Sequence, residues 1–267
     1  MQNILIKGAG DLASGIAWRL SRAGFNIIMT EISRPLTVRL TVSYSNAVYC
    51  GSTEIEGIKG VLVQNLQEAA AVLEQKMIAV IVDPEAKIAA SYKPDVIIDA
   101  IMAKKNIGTS IDDAPLVIAV GPGFYAGKDC HYAIETKRGH FLGRVIEHGC
   151  AIPNTGIPGN IGGYTTERII RASGSGIFHS KVPIGTSVKK GDIVAYVDEK
   201  PIYAQIDGIV RGMLHSGIKV SSMMKCGDID PRAEYSHCFT ISDKSRAIGG
   251  GALEAVLYGL RRLQQKG

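Results

Sequence analysis

A short apolar run, Asn3 to Ile6, breaks directly into K-G-A-G-D-L-A-S-G (Lys7 to Gly15), and a helical pattern starts at once. The six residues from Gly8 fit G-x-G-x-x-G/A with Ala13 in the third small position. That spacing commits the chain to a strand, a tight turn and a helix N-terminus, in that order. Gly8 permits the turn, and Gly10 keeps a Cβ out of the way of an approaching pyrophosphate. The N–H groups around Asp11, Leu12 and Ala13, together with the positive end of the helix dipole, would face the anion. Leu12, Ile16, Leu20 and Ala23 form one apolar stripe, which Gly24 stops. Phe25 to Met29 reads as a second strand running to Glu31, 23 positions after Gly8. A carboxylate at that distance accepts from a ribose hydroxyl in dinucleotide-binding turns. Arg34 either pairs a 2′-phosphate or is solvated, and the spacing leaves both readings open.

Further along, strands are expected at Gly60 to Val63, Met77 to Val82, Asp95 to Ile101 and Pro115 to Val120, with a helix over Asn65 to Gln75. Between Arg34 and Ile58 the alternation of Val38, Leu40 and Val42 reads as a half-buried strand or hairpin. The expected fold is α/β: a Rossmann-like, doubly wound parallel sheet with helices on both faces. A second glycine loop, Gly121 to Asp129, follows the last of these strands. In open sheets ligands sit at the carboxyl ends of strands, so Gly121 and Gly123 are expected to form the other half of a pocket begun at Gly8. Ile134 to Ile146 then gathers Arg138, His140 and Arg144, and no His/Cys/Asp spacing makes a metal set. From Gly176 the text changes to short strands with frequent turns, resembling the barrel-sandwich hybrid of biotinyl and lipoyl domains. The triple glycine Gly249-Gly250-Gly251 is expected to precede an amphipathic helix. The expected domains are a cofactor-binding domain over 1–172, a β-rich barrel-sandwich-like domain over 173–240, and a C-terminal helix, 241–267, packing back on the body.

Bulk properties narrow the classes. The 267 residues carry a net charge of +5, but Lys and Arg are spread along the chain with no long run, which argues against nucleic acid or membrane as a partner. No window approaches the roughly 18 apolar residues of a membrane span. The first strand runs straight into the glycine turn, unlike a signal peptide. Five cysteines with no C-x-x-C pair argue against a disulfide framework, so a reducing cytoplasm is expected.

With K-G-A-G-D-L-A-S-G-I-A, G-P-G-F-Y-A-G-K-D, I-E-T-K-R-G-H-F-L-G-R-V, G-D-I-D-P-R and S-D-K-S-R-A-I-G-G-G-A-L-E-A in order, the sequence resembles the accessory proteins of selenium-dependent molybdenum hydroxylase systems, the YqeB-type family. More distantly it is similar to XdhC-type xanthine dehydrogenase accessory proteins, although Asp11 stands where that type has His. The resemblance implies a bacterial maturation factor rather than a stand-alone catalyst. Such a factor binds a molybdopterin-type cofactor (pyranopterin or its dinucleotide form) as cargo and helps modify or deliver it. Its partners would be the molybdenum hydroxylase apoenzyme and cofactor-maturation proteins, and a homo-oligomer is compatible with it. Gly8, Gly10, Asp11, Leu12, Ala13, Glu31, Gly121 and Gly123 would hold the cofactor, with Arg138, His140 and Arg144 toward its charged end. The alternative is an NAD(P)-dependent oxidoreductase resting on Gly8, Gly10, Ala13 and Glu31. A third reading has Cys130 carry sulfur or selenium.

Overall fold

The computed structural model describes residues 2–156 and 158–265; Met1, Ile157, Lys266 and Gly267, which the expected domain ranges include, lie outside the described residues. The chain divides into two compact units. One comprises Met1–Pro35, Ser43–Thr155 and Ile241–Gly267, and the other Leu36–Val42 and Gly156–Thr240.

In the first unit β1 (Asn3–Lys7), α1 (Asp11–Arg22) and β2 (Asn26–Glu31) open the chain. A one-turn α2 (Ala47–Cys50), the hairpin β3 (Ser52–Ile55) and β4 (Ile58–Val63), α3 (Leu66–Glu74), β5 (Ile78–Val82), a one-turn α4 (Ala89–Tyr92), β6 (Val96–Asp99) and β7 (Leu116–Val120) follow. After these come the short strands β8 (Tyr125–Ala126), β9 (Tyr132–Ile134), β10 (Val145–Ile146) and β11 (Gly149–Cys150), and the unit closes with α5 (Asp243–Gln264). The main sheet has the order β10-β9-β7-β6-β1-β2-β5-β4-β3. Its inner pairs are parallel, and the edge pairs β9/β10 and β3/β4 are antiparallel.

This corrects the expected Rossmann-like, doubly wound parallel sheet. The main sheet is mixed and nine-stranded, the chain also forms smaller antiparallel sheets, and helices are few among the described residues. The physical reason lies in the connections. Glu56 and Gly57 take positive φ, 45° and 82°, the geometry of a two-residue I′ turn, so β3 doubles back on β4 with no crossover helix. The link from β6 to β7 holds only a three-residue 3₁₀ turn, Ile111–Asp113. Successive side chains of a strand point to opposite faces. Ile4, Ile6, Ile27, Met29, Ile78, Val80, Val96 and Ile98 therefore join one core with α1 and α5. Leu5, Ile28, Ala79 and Ile97 join a smaller one with α3.

The close packing of α1 on α5 explains the C-terminal glycines. A Cβ on Gly249 would lie 2.9 Å from the Gly15 carbonyl oxygen, and a Cβ on Gly15 would fall on the Ser245 side chain. The glycine triplet thus sits inside α5, which starts earlier, at Asp243 behind the N-cap Ser242. The expected helix start after Gly251 is corrected accordingly. Glu56 fastens the same corner: its carboxylate takes both the Arg246 guanidinium (2.7 and 2.8 Å) and the Ile241 N–H (2.8 Å).

The second unit is β-rich. β12 (Ile169–Arg171), β13 (Gly176–Ser180), β14 (Ser187–Val188), β15 (Ile193–Val197), β16 (Lys200–Tyr203), β17 (Gly208–Met213), β18 (Lys219–Val220) and β19 (Lys225–Asp230) make two four-stranded antiparallel sheets. Asp228 and Asp230 lie two apart on β19 and so share a face, opposite Arg211 of β17. Asp228, 2% exposed, accepts from Arg168 Nη1 and from Arg211 Nη2 (2.6 Å). Asp230, 1% exposed, accepts from Arg232 Nη2 at 2.6 Å. The G-D-I-D-P-R motif is therefore a buried ionic framework. The stretch around Val38, Leu40 and Val42, expected as a half-buried strand or hairpin, forms a single bridge from Arg39 to Met213 and a 3₁₀ turn. Arg39 leaves the ladder because its guanidinium caps the carbonyls of His237 (3.0 Å) and Thr240 (3.2 Å). Among the described residues no helix is long and apolar enough to cross a membrane.

Candidate functional site: the carboxyl edge of the first unit

β1 lies between β2 and β6, so the chain leaves it in one direction and returns on the other side, and a crevice at the carboxyl ends is the usual result. Gly8 turns the chain out of β1 at φ +91°, and a Cβ there would meet Ala100 O and Ile101 Cα at 3.1 Å. Its N–H still belongs to the sheet, bonding Thr30 O at 2.9 Å. Gly10 is the N-cap of α1 and offers no side-chain cap. The first bond of the helix runs from Ser14 N to Gly10 O, so the N–H groups of Asp11, Leu12 and Ala13 have no partner within the described residues. Ser14 braces the turn from below, its hydroxyl donating to Ala9 O (3.1 Å) and accepting from Tyr44 N (2.8 Å).

Glu31 stands beside this turn at the tip of β2. Its oxygens accept from Ala9 N (3.0 Å) and Ile32 N (2.8 Å). Burial pushes its carboxyl above the usual range, outweighing the lowering by those two N–H groups. Part of its acceptor capacity is thus spent on holding the loop. Arg34 is exposed.

The N-terminus of α5 arrives at the same place. Ser245 Oγ donates to Asp11 O at 2.8 Å, which ties the first turns of α1 and α5 together. Lys244, half-buried, forms no ion pair or hydrogen bond among the described residues. Burial and then the Arg138 charge lower its pKa, against the opposing pull of Asp11, Glu135 and Asp243. Arg138 itself grips Asp243 with both guanidinium nitrogens, at 2.5 and 3.0 Å. Sequence reasoning missed Lys244. The signal was the S-D-K-S start of α5, with Ser242 as its N-cap.

The second glycine loop has other company. Gly121 (φ +85°) bonds Ile134 O at 2.9 Å, and a Cβ there would meet Thr136 Oγ1 at 3.1 Å and Met102 Cε at 3.2 Å. A Cβ on Gly123 would strike Lys105 Cα at 2.5 Å, and Gly123 O accepts from Asn106 N. Residues 102–106 therefore pack on this loop. They are pinned in turn through Lys7 Nζ, which donates to Thr109 Oγ1 and Asp113 Oδ2 (both 3.0 Å), while Thr109 Oγ1 donates to the buried Asp99 (2.6 Å). Gly8, Gly10, Asp11, Leu12, Ala13 and Glu31 share one turn, with Arg138 near the start of α5. His140 and Arg144 instead gather around Phe141, His140 edge-on at 5.0 Å and Arg144 with its guanidinium 5.4 Å from the ring. Cys130 is fully buried, and its thiol is pushed up to about 12 by desolvation first and the Asp129 charge second. A sulfur carrier needs an accessible thiolate, so that role is corrected.

No family model matches the chain. It is 50% identical over 256 residues to the uncharacterized protein YqeB of Escherichia coli K12. That match takes in 96% of this chain but only 47% of YqeB, so the chain spans about half the length of the curated relative it matches. Among solved structures it is similar to an aspartoacylase family protein from Mesorhizobium loti, with 13% identity, 85% of this chain and 84% of that one covered, and a TM-score of 0.29. A succinylglutamate desuccinylase/aspartoacylase from Rhodobacter sphaeroides follows with 12% identity, the same 85% and 84% covered, and a TM-score of 0.27. Scores this low leave fold and chemistry to be read from this chain itself. None of these proteins is described as a molybdenum hydroxylase accessory protein, an XdhC-type protein or a nicotinamide enzyme. The reading as a selenium-dependent molybdenum hydroxylase maturation factor is corrected on that finding, and its NAD(P)-dependent oxidoreductase alternative with it. The geometry agrees for the alternative, since the second loop is covered by residues 102–106.

Proposed function

We propose that the first unit is a binding module for a phosphate-bearing ligand of the nucleotide class, held at the start of α1. The observation that carries this reading is the pairing of unpartnered N–H groups at Asp11 to Ala13 with a half-buried Lys244 that forms no ion pair or hydrogen bond among the described residues. Converging N–H groups and a desolvated cation suit a phosphate oxygen, since charge-assisted hydrogen bonds are about twice as strong as neutral ones. The remaining lone pairs of Glu31 suit a ribose hydroxyl. Half-burying an ammonium that no ion pair or hydrogen bond holds costs folding energy, which is characteristic of a group kept for binding.

Isothermal titration calorimetry of the full chain with ATP, NAD⁺ and inorganic phosphate tests the reading. At least one nucleotide is expected to bind in the micromolar range, near −8 kcal/mol. Lys244→Met should weaken it by about 10- to 100-fold, the worth of a hydrogen bond to a charged group. The same variant should melt no lower than the parent, because the substitution relieves the desolvation. An absence of binding by every probe, or an unaltered affinity in Lys244→Met, would overturn the proposal.

A further inference from the structure

A second concavity, of about 500 Å³, opens on the first unit where the 135–144 turn meets β10 and β11. Its volume falls within the ~300–1,000 Å³ range of small-molecule pockets. None of Gly8 to Ala13 lines it. Phe141 (48% exposed), Ile146 and Ile152 supply apolar wall, and Arg144, His148 and Cys150 supply the chemistry.

The two carboxylates in the lining are already occupied. Glu135 accepts the N–H groups of Thr136, Lys137 and Ile152 at 2.7, 2.7 and 2.8 Å, and Glu147 pairs with Arg262 at 3.4 Å. Arg144 forms no ion pair among the described residues, and its guanidinium is steadied over the Phe141 ring. His148 makes no hydrogen bond among the described residues. Pairing of Cys150 with Tyr125 fixes β11 against β8, and His148 lies in the bend that leads into β11, so both residues line the same cleft. Of the five cysteines, only Cys50 and Cys150 are exposed.

We propose that this cleft is a second ligand site, which takes a small organic oxyanion. Its anionic end meets Arg144 and His148, its apolar body lies against Phe141, Ile146 and Ile152, and one of its carbons comes within reach of the Cys150 thiol. The arrangement combines a guanidinium outside any ion pair, an imidazole with no hydrogen bond among the described residues and an exposed aromatic wall, none of which the α1 site uses.

Alkylation of the native full-length chain tests this, with the two exposed cysteines separated by peptide mass spectrometry. Iodoacetate is a small carboxylate and iodoacetamide its neutral counterpart; each forms a C–S bond from the thiolate and releases iodide. The ratio of the two rates at one thiol cancels that thiol's ionised fraction. The ratio at Cys150 is expected to exceed that at Cys50 by about fivefold or more, the worth of one surface ion pair at low salt, and to shrink in high salt. Arg144→Gln should bring it down to the Cys50 value, and Arg144→Lys should keep part of the preference. Excess benzoate should slow the reaction at Cys150 but not at Cys50. Equal ratios at the two cysteines, or an unchanged preference in Arg144→Gln, would overturn the proposal.

Discussion

Adjacent glycines in α5 should respond to the same substitution with opposite signs. At Gly250 an added Cβ meets nothing within 4 Å, so Gly250→Ala gains the helix propensity of alanine, about 1 kcal/mol, with nothing lost in packing. At Gly251 the Cβ would land on the Gly143 carbonyl oxygen and would stand 3.3 Å from Ile134 Cγ2. That carbonyl has little freedom to swing aside. Gly143 sits at φ +83°, its N–H is bonded to Glu135 O at 2.9 Å, and a Cβ on it would in turn strike Ala247 O at 2.5 Å. Relief must come from moving a whole helix off the β9/β10 edge, so the cost belongs at the upper end of the overpacking range, about 3 kcal/mol. Net of the propensity gain, Gly251→Ala should lose about 2 kcal/mol, and the two variants should differ by about 3 kcal/mol. Trp18 is the single tryptophan of the chain and lies buried on α1, with the Arg22 and Arg246 guanidinium groups 4.9 and 5.4 Å from its ring. Its fluorescence therefore reports the α1/α5 contact directly. With a urea slope of about 1–3 kcal/mol/M, the midpoints should separate by at least about 1 M. Shifts of the same sign in both variants would refute the packing argument.

The second unit yields two more expectations. Asp228→Asn leaves Arg168 and Arg211 buried beside a neutral amide, and should cost about 3–5 kcal/mol in a thermal or urea melt. For Asp230, burial works to raise the carboxyl, but the Arg232 hydrogen bonds and the Arg211 and Arg232 charges outweigh it and hold the group below its ordinary value of 3.8. Its stabilisation is therefore complete above that value and disappears as pH falls through the lower folded pKa; acid titration by circular dichroism should show the β-rich signal weakening only below about pH 4, and an onset near pH 6 would contradict this.

What could be read ahead of the structure was whatever depends on near neighbours in the chain. The Gly8 turn is dictated by backbone sterics within a few residues, and the apolar runs that became β1, β2, β5 and β7 are dictated by burial of both strand faces. Direction is another matter: nothing within β3 or β10 says that each will pair antiparallel, because that follows from the turn at Glu56-Gly57 and from the route through residues 135–144. The Gly249-Gly250-Gly251 triplet misled for the same reason, since locally it reads as a hinge and only the Gly15 backbone across the helix pair makes it a contact surface. The candidate site lies on the same divide. Gly8 to Ala13 offer N–H groups that any strand–turn–helix of this spacing would offer, and that signal alone does not tell one phosphate-bearing ligand from another. Lys244 changes the reading, and it stands 233 positions from Asp11, brought there by the Ser245–Asp11 hydrogen bond and the glycine crossing. The turn supplies dipoles and the distant lysine supplies net charge, and an anion held against competing water needs both. Binding at this edge therefore depends on the docking of α5 as much as on the glycines, and a change that loosens Gly15 from Gly249 should weaken the ligand without touching it.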